Sequence, residues 1–176
     1  LVEKEPGNVE YHDRLAGVIN ILAVLLREDR KIADAEAAFR RCAEMRRELS
    51  DRFPSHSRFA EGAVQGYNNL GVICIDANKK AEALEAFRTA GTLQSKLAEQ
   101  HPEQVDFAFW LGQYHNNLGT LLRQMQQLEE SERHMAESLT ILEKVASTNP
   151  ARLDYQIALG GLEVNRGISL LEADRE

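Results

Sequence analysis

Prolines at a fixed interval constrain this chain more than any other feature. All four of them, Pro6, Pro54, Pro102 and Pro150, are 48 residues apart in a sequence of 176 residues. Proline lacks an amide donor and disfavours helical geometry at the residue before it, so each one predicts a boundary between helices. A period of this length is typical of stacked repeats that bury their apolar faces against one another.

The sequence divides into three full repeats, 7–54, 55–102 and 103–150, that align without a gap, with partial repeats at 1–6 and 151–176. Apolar residues at spacings of three, four and seven predict a first helix in each repeat, helix A, and a second amphipathic stretch after a short polar break predicts helix B. The predicted helices are 9–28, 31–52, 56–77, 80–100, 104–125, 127–147 and 152–172. We therefore expect one all-α repeat domain over residues 1–176 that is open at both ends.

Composition narrows the class of protein. The net charge is −7, with 28 acidic against 21 basic residues, which argues against a general nucleic-acid binder because phosphates require a basic surface. No apolar run is long enough for a membrane span, and the first residues do not resemble a signal peptide. Cys42 and Cys74 are distant from each other in apolar positions, which predicts buried free thiols and a reducing, cytoplasmic setting.

The repeat carries a pattern of large and small residues. The second repeat has Tyr67-x-x-Leu70-Gly71-x-x-Cys74, then Ala83-x-x-x-Phe87, then Pro102. Equivalent positions hold small residues at Ala23, Gly119, Ala35 and Ser131, and large ones at Phe39 and Met135. The pattern resembles the tetratricopeptide repeat, which implies a right-handed α-solenoid of helix-turn-helix hairpins. The 48-residue repeat is longer than the usual one of about 34 residues. In this it resembles the arrays of kinesin light chains and those beside some bacterial serine/threonine kinase domains.

The resemblance also implies a binding surface, because the A helices of such arrays line a concave groove in which asparagines hold a peptide backbone. A carboxamide suits this role because it both donates and accepts hydrogen bonds. The candidate groove residues are Asn20, Asn68, Asn69, Asn116, Asn117, Asn165, Gln65, Gln113, Arg27 and Arg123. In the alternative that we favour, one asparagine of each doublet bonds to a neighbouring helix and only its partner faces the groove. Arg27 and Arg123 would attract an acidic peptide. In the alternative, they only interact favourably with the dipole at the C-terminal end of their helix.

The aromatic residues of the third repeat and the histidines were also considered as candidate site residues. In the third repeat the aromatic residues Phe109 and Trp110 are adjacent, and we expect Trp110 to fill the core and Phe109 to be exposed. The five histidines, His12, His56, His101, His115 and His134, have no metal-ligand spacing along the chain, and no phosphate-binding loop is present. We therefore expect no catalytic residue, no metal and no cofactor.

These observations predict a non-catalytic scaffold that binds a peptide or a helix of a protein partner, with no nucleic acid and no membrane involved. The alternative is a structural spacer or an oligomerisation element that stacks through its open ends. In either case the chain could be the regulatory region of a larger kinase-type protein.

Overall fold

Seven helices follow one another along the chain. A computed structural model describes the backbone of residues 9–173 and the side chains of residues 9–167, so the predicted partial repeat 1–6 lies outside the described residues. The helices are α1 (Val9–Glu28), α2 (Ile32–Arg52), α3 (Ser57–Asp76), α4 (Lys80–Gln100), α5 (Val105–Gln124), α6 (Leu128–Thr148) and α7 (Leu153–Ala173). Each predicted boundary is confirmed to within one residue. No strand occurs within residues 9–173, which confirms an all-α fold built from helical hairpins.

Proline separates one repeat from the next, as predicted. Pro54, Pro102 and Pro150 all lie in the short connections between a B helix and the following A helix. Phe53 and Asn149, which directly precede two of these prolines, have φ of −130° and −132°. Their ψ angles are 62° and 61°, so both residues lie outside the helical region, which proline disfavours for the residue before it, and the B helices end there.

The turn inside each repeat uses a left-handed residue. Arg30, Asn78 and Gln126 have φ of 63°, 59° and 61°, and they occupy the same position in the three repeats. After Gln126, the amide of Gln127 donates to the carbonyl of Leu122, and the two other turns repeat this bond. The geometry is that of a Schellman motif, which satisfies the last carbonyls of helix A and reverses the chain for helix B.

Small residues allow helices A and B of one repeat to approach closely. A Cβ atom placed on Gly71 would be 2.7 Å from the ring of Phe87, and one on Gly119 would be 2.8 Å from Cγ of Met135. Ser131 donates its hydroxyl to the carbonyl of Gly119 at 2.7 Å. The small and large residues of the repeat therefore pack against each other between α3 and α4 and between α5 and α6.

The chain divides into two compact units, Leu1–Leu97 and Ala98–Glu176, here called the N-terminal and C-terminal units. The N-terminal unit has a core cluster of Ala16, Ile19 and Cys42, and the C-terminal unit has one that includes Leu142, Tyr155 and Leu162. That residues 1–176 form a single domain stays a prediction. Over the described residues, no helix combines the length and the apolar character that crossing a membrane requires.

Both cysteines are free and buried, as the sequence predicted. The thiol of Cys42 donates to the backbone carbonyl of Ala16 at 3.3 Å, so it also contributes to the contact between α1 and α2. Burial raises the pKa of both thiols, which keeps them protonated and unreactive.

Candidate functional site

The asparagines of the A helices pair with one another across neighbouring repeats. Asn69 on α3 donates its side-chain amide to the side-chain oxygen of Asn20 on α1 at 2.9 Å. In the C-terminal unit Asn165 on α7 donates to Asn116 on α5 at 3.4 Å. All four side chains are half-buried. Both bonds join residues that are 49 positions apart, and the second lies two repeats after the first.

Each doublet therefore has one asparagine that bonds across to a neighbouring A helix, which is one part of the alternative favoured from the sequence. The other part, that only its partner faces a groove, stays a prediction. The bonded residue is Asn69 in the first doublet and Asn116 in the second. Asn117 is exposed and Asn68 is half-buried. The sequence could not distinguish the members of a doublet, because the partner of each lies about 50 residues away on a separate helix.

A mixed apolar and polar surface lies on α1 and α3, next to the Asn20–Asn69 bond. About two turns along the same helices, Nε of Arg27 is 2.6 Å from a carboxylate oxygen of Asp76. Between these two polar contacts lie apolar side chains that are 36% to 40% exposed. We call this surface the α1/α3 face, and it consists of Asn20, Val24, Arg27, Asn69, Val72, Ile75 and Asp76.

The two candidate arginines already have partners within the protein. Arg27 is paired with Asp76, and Nη1 of Arg123 is 3.5 Å from the backbone oxygen of Asn165. Both contacts join neighbouring A helices of one compact unit. An acidic ligand would have to compete with Asp76 for Arg27, which weakens the case for recognition of acidic peptides.

The two candidate glutamines differ in their surroundings. Gln65 is exposed, and its side-chain oxygen accepts a hydrogen bond from Nη1 of Arg46 on α2 at 2.8 Å. The same guanidinium nitrogen also donates to the carbonyl of Gly62 at 3.2 Å. Gln65 is thus held against the preceding B helix, whereas Gln113 is half-buried on α5.

The predictions for the adjacent aromatic residues of α5 were both wrong. Trp110 is 56% exposed and Phe109 is 5% exposed. The ring of Phe109 is 4.7 Å from that of Tyr155 on α7 and packs in the same cluster as Leu142. Successive residues of a helix point about 100° apart, so the burial of Phe109 turns Trp110 outward.

Histidines from α5 and α6 converge on one carboxylate in the C-terminal unit. Nδ1 of His115 is 2.8 Å from Nδ1 of His134, and the two nitrogens are 3.0 Å and 3.2 Å from Oε2 of Glu137. Burial lowers the pKa of both imidazoles, although Glu137 acts in the opposite direction. Spacing along the chain does not group these residues, because His115 lies on α5 and His134 lies on α6. Only the spacing of three between His134 and Glu137 was visible as a shared helix face.

A second charged cluster has a structural role in the N-terminal unit. The nearly buried carboxylate of Glu36 on α2 accepts hydrogen bonds from Lys79 Nζ at 2.9 Å and 3.0 Å and from Arg40 at 3.2 Å. Arg40 also bonds Glu82 at 2.8 Å. The hydrogen bond from Lys79 is the main cause of the lowered pKa of Glu36, and it outweighs the effect of burial. These bonds connect α2 to the turn between α3 and α4.

Comparison with known proteins agrees with this architecture. Family models described as tetratricopeptide repeat match residues 15–56, 64–96 and 113–150, which together make up more than half of the chain. No curated protein matched the sequence. The finer resemblance to kinesin light chains and to arrays beside bacterial kinases stays a prediction. The repeated hairpins, the glycine and phenylalanine contacts and these matches establish that the chain belongs to the tetratricopeptide repeat family.

Proposed function

We propose that this chain binds an extended segment of a protein partner on its A helices and performs no chemistry itself. Proteins of this family generally mediate interactions between proteins, which supports the general role. The observation that carries the proposal is the α1/α3 face, where amides and exposed apolar side chains lie side by side. An extended peptide offers backbone groups to the amides and side chains to the apolar positions.

The Asn20–Asn69 bond leaves hydrogen-bonding capacity for a ligand. Each carboxamide has two N–H donors and an oxygen that accepts twice, and the mutual bond uses one donor of Asn69 and one acceptor site of Asn20. The bond also fixes the orientation of both side chains before a ligand arrives. Groups that are already ordered lose less entropy on binding, which favours affinity.

The charge of the α1/α3 face favours a ligand with apolar side chains. Arg27 and Asp76 neutralise each other at one end of the face, and the amides at the other end are neutral. Val24, Val72 and Ile75 supply the contact area between them. We therefore propose a peptide with apolar side chains at alternate positions rather than an acidic one.

A random-peptide display library is the probe for this proposal. Peptides enriched on the wild-type protein would be tested against Val24→Glu and Val72→Glu, which place a charge at exposed positions without filling the core. We expect each variant to lose at least about tenfold in affinity, since an apolar side chain would then meet a charge. Leu128→Glu is the matched control, because Leu128 is also exposed but lies at the start of α6.

Failure to enrich any peptide, or peptides that bind Val24→Glu and Val72→Glu as tightly as the wild type, would refute the α1/α3 face as a binding surface. Circular dichroism should show that all the variants retain the helicity of the wild type.

An apolar stripe on α1 favours a second candidate function, self-association through a repeat end. Leu22 is 50% exposed, whereas Leu70, its equivalent in the next repeat, is 4% exposed. Val18 and Leu25 extend the stripe on α1, and they are also exposed. A mass that rises with concentration for the wild type, but not for Leu22→Glu, would support this function over peptide binding.

A further inference from the structure

Three potential ligand atoms converge in the C-terminal unit at the junction of α5 and α6. They are Nδ1 of His115, Nδ1 of His134 and Oε2 of Glu137, and their separations are 2.8 Å, 3.0 Å and 3.2 Å. The imidazoles are about 15% exposed and Glu137 is about half exposed. The atoms thus form a small triangle that is walled by the helices on one side and reaches the surface on the other.

Hydrogen bonds alone do not satisfy all three sides of this triangle. If only one imidazole carries a proton on Nδ1, that N–H can donate to the other nitrogen and to the carboxylate. The unprotonated nitrogen and the carboxylate oxygen then face each other with their lone pairs, which repel. If both nitrogens carry protons, the two N–H groups oppose each other at 2.8 Å. A cation at the centre attracts all three lone pairs at once, so it removes the conflict that each protonation state leaves.

The size of the triangle fits a metal ion. Two ligand atoms that each lie about 2.1 Å from an ion are about 3.0 Å apart when they meet at a right angle, as in an octahedral site. At the tetrahedral angle the same two atoms would be about 3.4 Å apart. The observed separations centre on the first value. Two imidazoles and a carboxylate on one face of an octahedron are a ligand set suited to divalent first-row transition metals.

We propose that His115, His134 and Glu137 bind a divalent first-row transition metal ion, and we use Zn²⁺ as the probe because its d electrons impose no geometry. Its remaining coordination positions open into a surface depression of about 570 Å³ lined by Arg133, Ala136 and Thr140 among others. Water or a donor atom from a partner fills these positions. The ion would join helix A to helix B of the third repeat, because His115 lies on α5 and the other two ligands lie on α6.

A second carboxylate supports one of the ligands from outside. Oε1 of Glu130 is 4.0 Å from Nε2 of His134, the ring nitrogen that does not face the triangle. The contact is longer than a hydrogen bond, so the carboxylate acts by electrostatic attraction on the Nε2–H of a metal-bound imidazole and favours this orientation of the ring. Glu130 is therefore a positioning residue for the site and does not bind the ion.

The other acidic cluster of the described residues does not qualify as a metal site. Glu36, Cys74 and Glu82 also lie close together. The carboxylate of Glu36, however, already accepts hydrogen bonds from Lys79 and Arg40, and those two cations would repel a metal ion. The contrast leaves the histidine cluster as the stronger candidate.

The test is direct titration of Zn²⁺ into the chelator-stripped, untagged chain by isothermal calorimetry. We expect one ion per chain, with affinity reduced at least about tenfold in His115→Gln and in Glu137→Gln. His56→Gln is the matched control, because His56 is exposed on the N-terminal unit and should leave binding unchanged. Glu130→Gln should weaken binding by a smaller factor, because it removes the charge beside His134 but none of the three ligand atoms.

Two further measurements separate this site from loose binding at the surface. Co²⁺ should give ligand-field absorption bands that Glu137→Gln removes, and saturating Zn²⁺ should raise the melting temperature of the wild type but not that of His115→Gln. Absence of stoichiometric binding by the wild type, or binding that both ligand variants retain in full, would overturn the proposal. Glu137 is half exposed, so Glu137→Gln tests the site even if His115→Gln fails to fold.

Discussion

Asn69 donates its side-chain amide to the side-chain oxygen of Asn20 at 2.9 Å, which ties α3 to α1. The same bond recurs between Asn165 and Asn116 in the C-terminal unit. Asparagine is a poor helix former, so its presence in the middle of an A helix carries a local cost. The amide pair offsets this cost by joining neighbouring repeats, and the same amides are the groups that we propose for peptide binding.

A double-mutant cycle measures the strength of the Asn20–Asn69 bond. Either alanine variant loses the bond but gains helix propensity of up to about 0.7 kcal/mol, so single changes will understate the interaction. We expect a coupling free energy of about 0.5–1.5 kcal/mol from urea unfolding of the two single variants and the double variant. Asn117→Ala, at an exposed position, should be neutral or slightly stabilising. A coupling energy of zero would show that the bond contributes nothing to stability.

Substitution of Gly71 by alanine should destabilise the protein. The new methyl group would be 2.7–2.9 Å from three carbons of the Phe87 ring, which is itself buried. Overpacking of this kind costs about 1–3 kcal/mol. Gly17→Ala is the matched control, because no atom lies within 4 Å of a Cβ placed there. It should gain roughly 0.5–1 kcal/mol by chemical denaturation, because alanine is the better helix former. Equal effects at the two positions would contradict the close contact with Phe87.

Glycine at the left-handed position of the third turn should stabilise the protein. Gln126 has a φ of 61°, where an L side chain is strained by about 1–2 kcal/mol. Gln126→Gly relieves that strain but increases the entropy of the unfolded chain, and we expect a net gain of about 0.5–1 kcal/mol in thermal or urea unfolding. Asn78→Gly should change stability less, because asparagine tolerates this conformation. A loss of stability in Gln126→Gly would disprove the strain.

Stability at acid pH should depend on Glu36. The hydrogen bond from Lys79 lowers the pKa of Glu36 in the folded state below the ordinary value of 4.5. The stabilisation that ionised Glu36 contributes to the fold is therefore complete above that pH, and it is lost as the pH falls through the folded pKa. The free energy of unfolding should therefore decrease more for the wild type than for Glu36→Gln between about pH 5 and pH 3. Parallel pH profiles for the two proteins would exclude a contribution from this cluster. High salt should reduce the difference only in part, because Glu36 is nearly buried.

The sequence alone determined the helices and their order. Proline at every 48th residue fixed the boundary between repeats, and the spacing of apolar residues fixed the period of each helix, since both effects act within a few residues of the chain. The positions of the small and large residues, such as Gly71 and Phe87, were also visible in the sequence, because they recur in every repeat. The boundaries and the period of a helix depend on residues that are close in the sequence, so they can be predicted without knowing which helices pack together.

Only the tertiary structure decided which side chains meet across helices. The exposure of Trp110 and the burial of Phe109 depend on the rotation of α5 against its neighbours, because a helix packed on several sides has more than one face available for apolar residues. The triangle of His115, His134 and Glu137 and the partner of each asparagine depend on the same packing. A shift of one helical position turns a side chain by about 100°, so contacts between elements are settled only when the helices pack together.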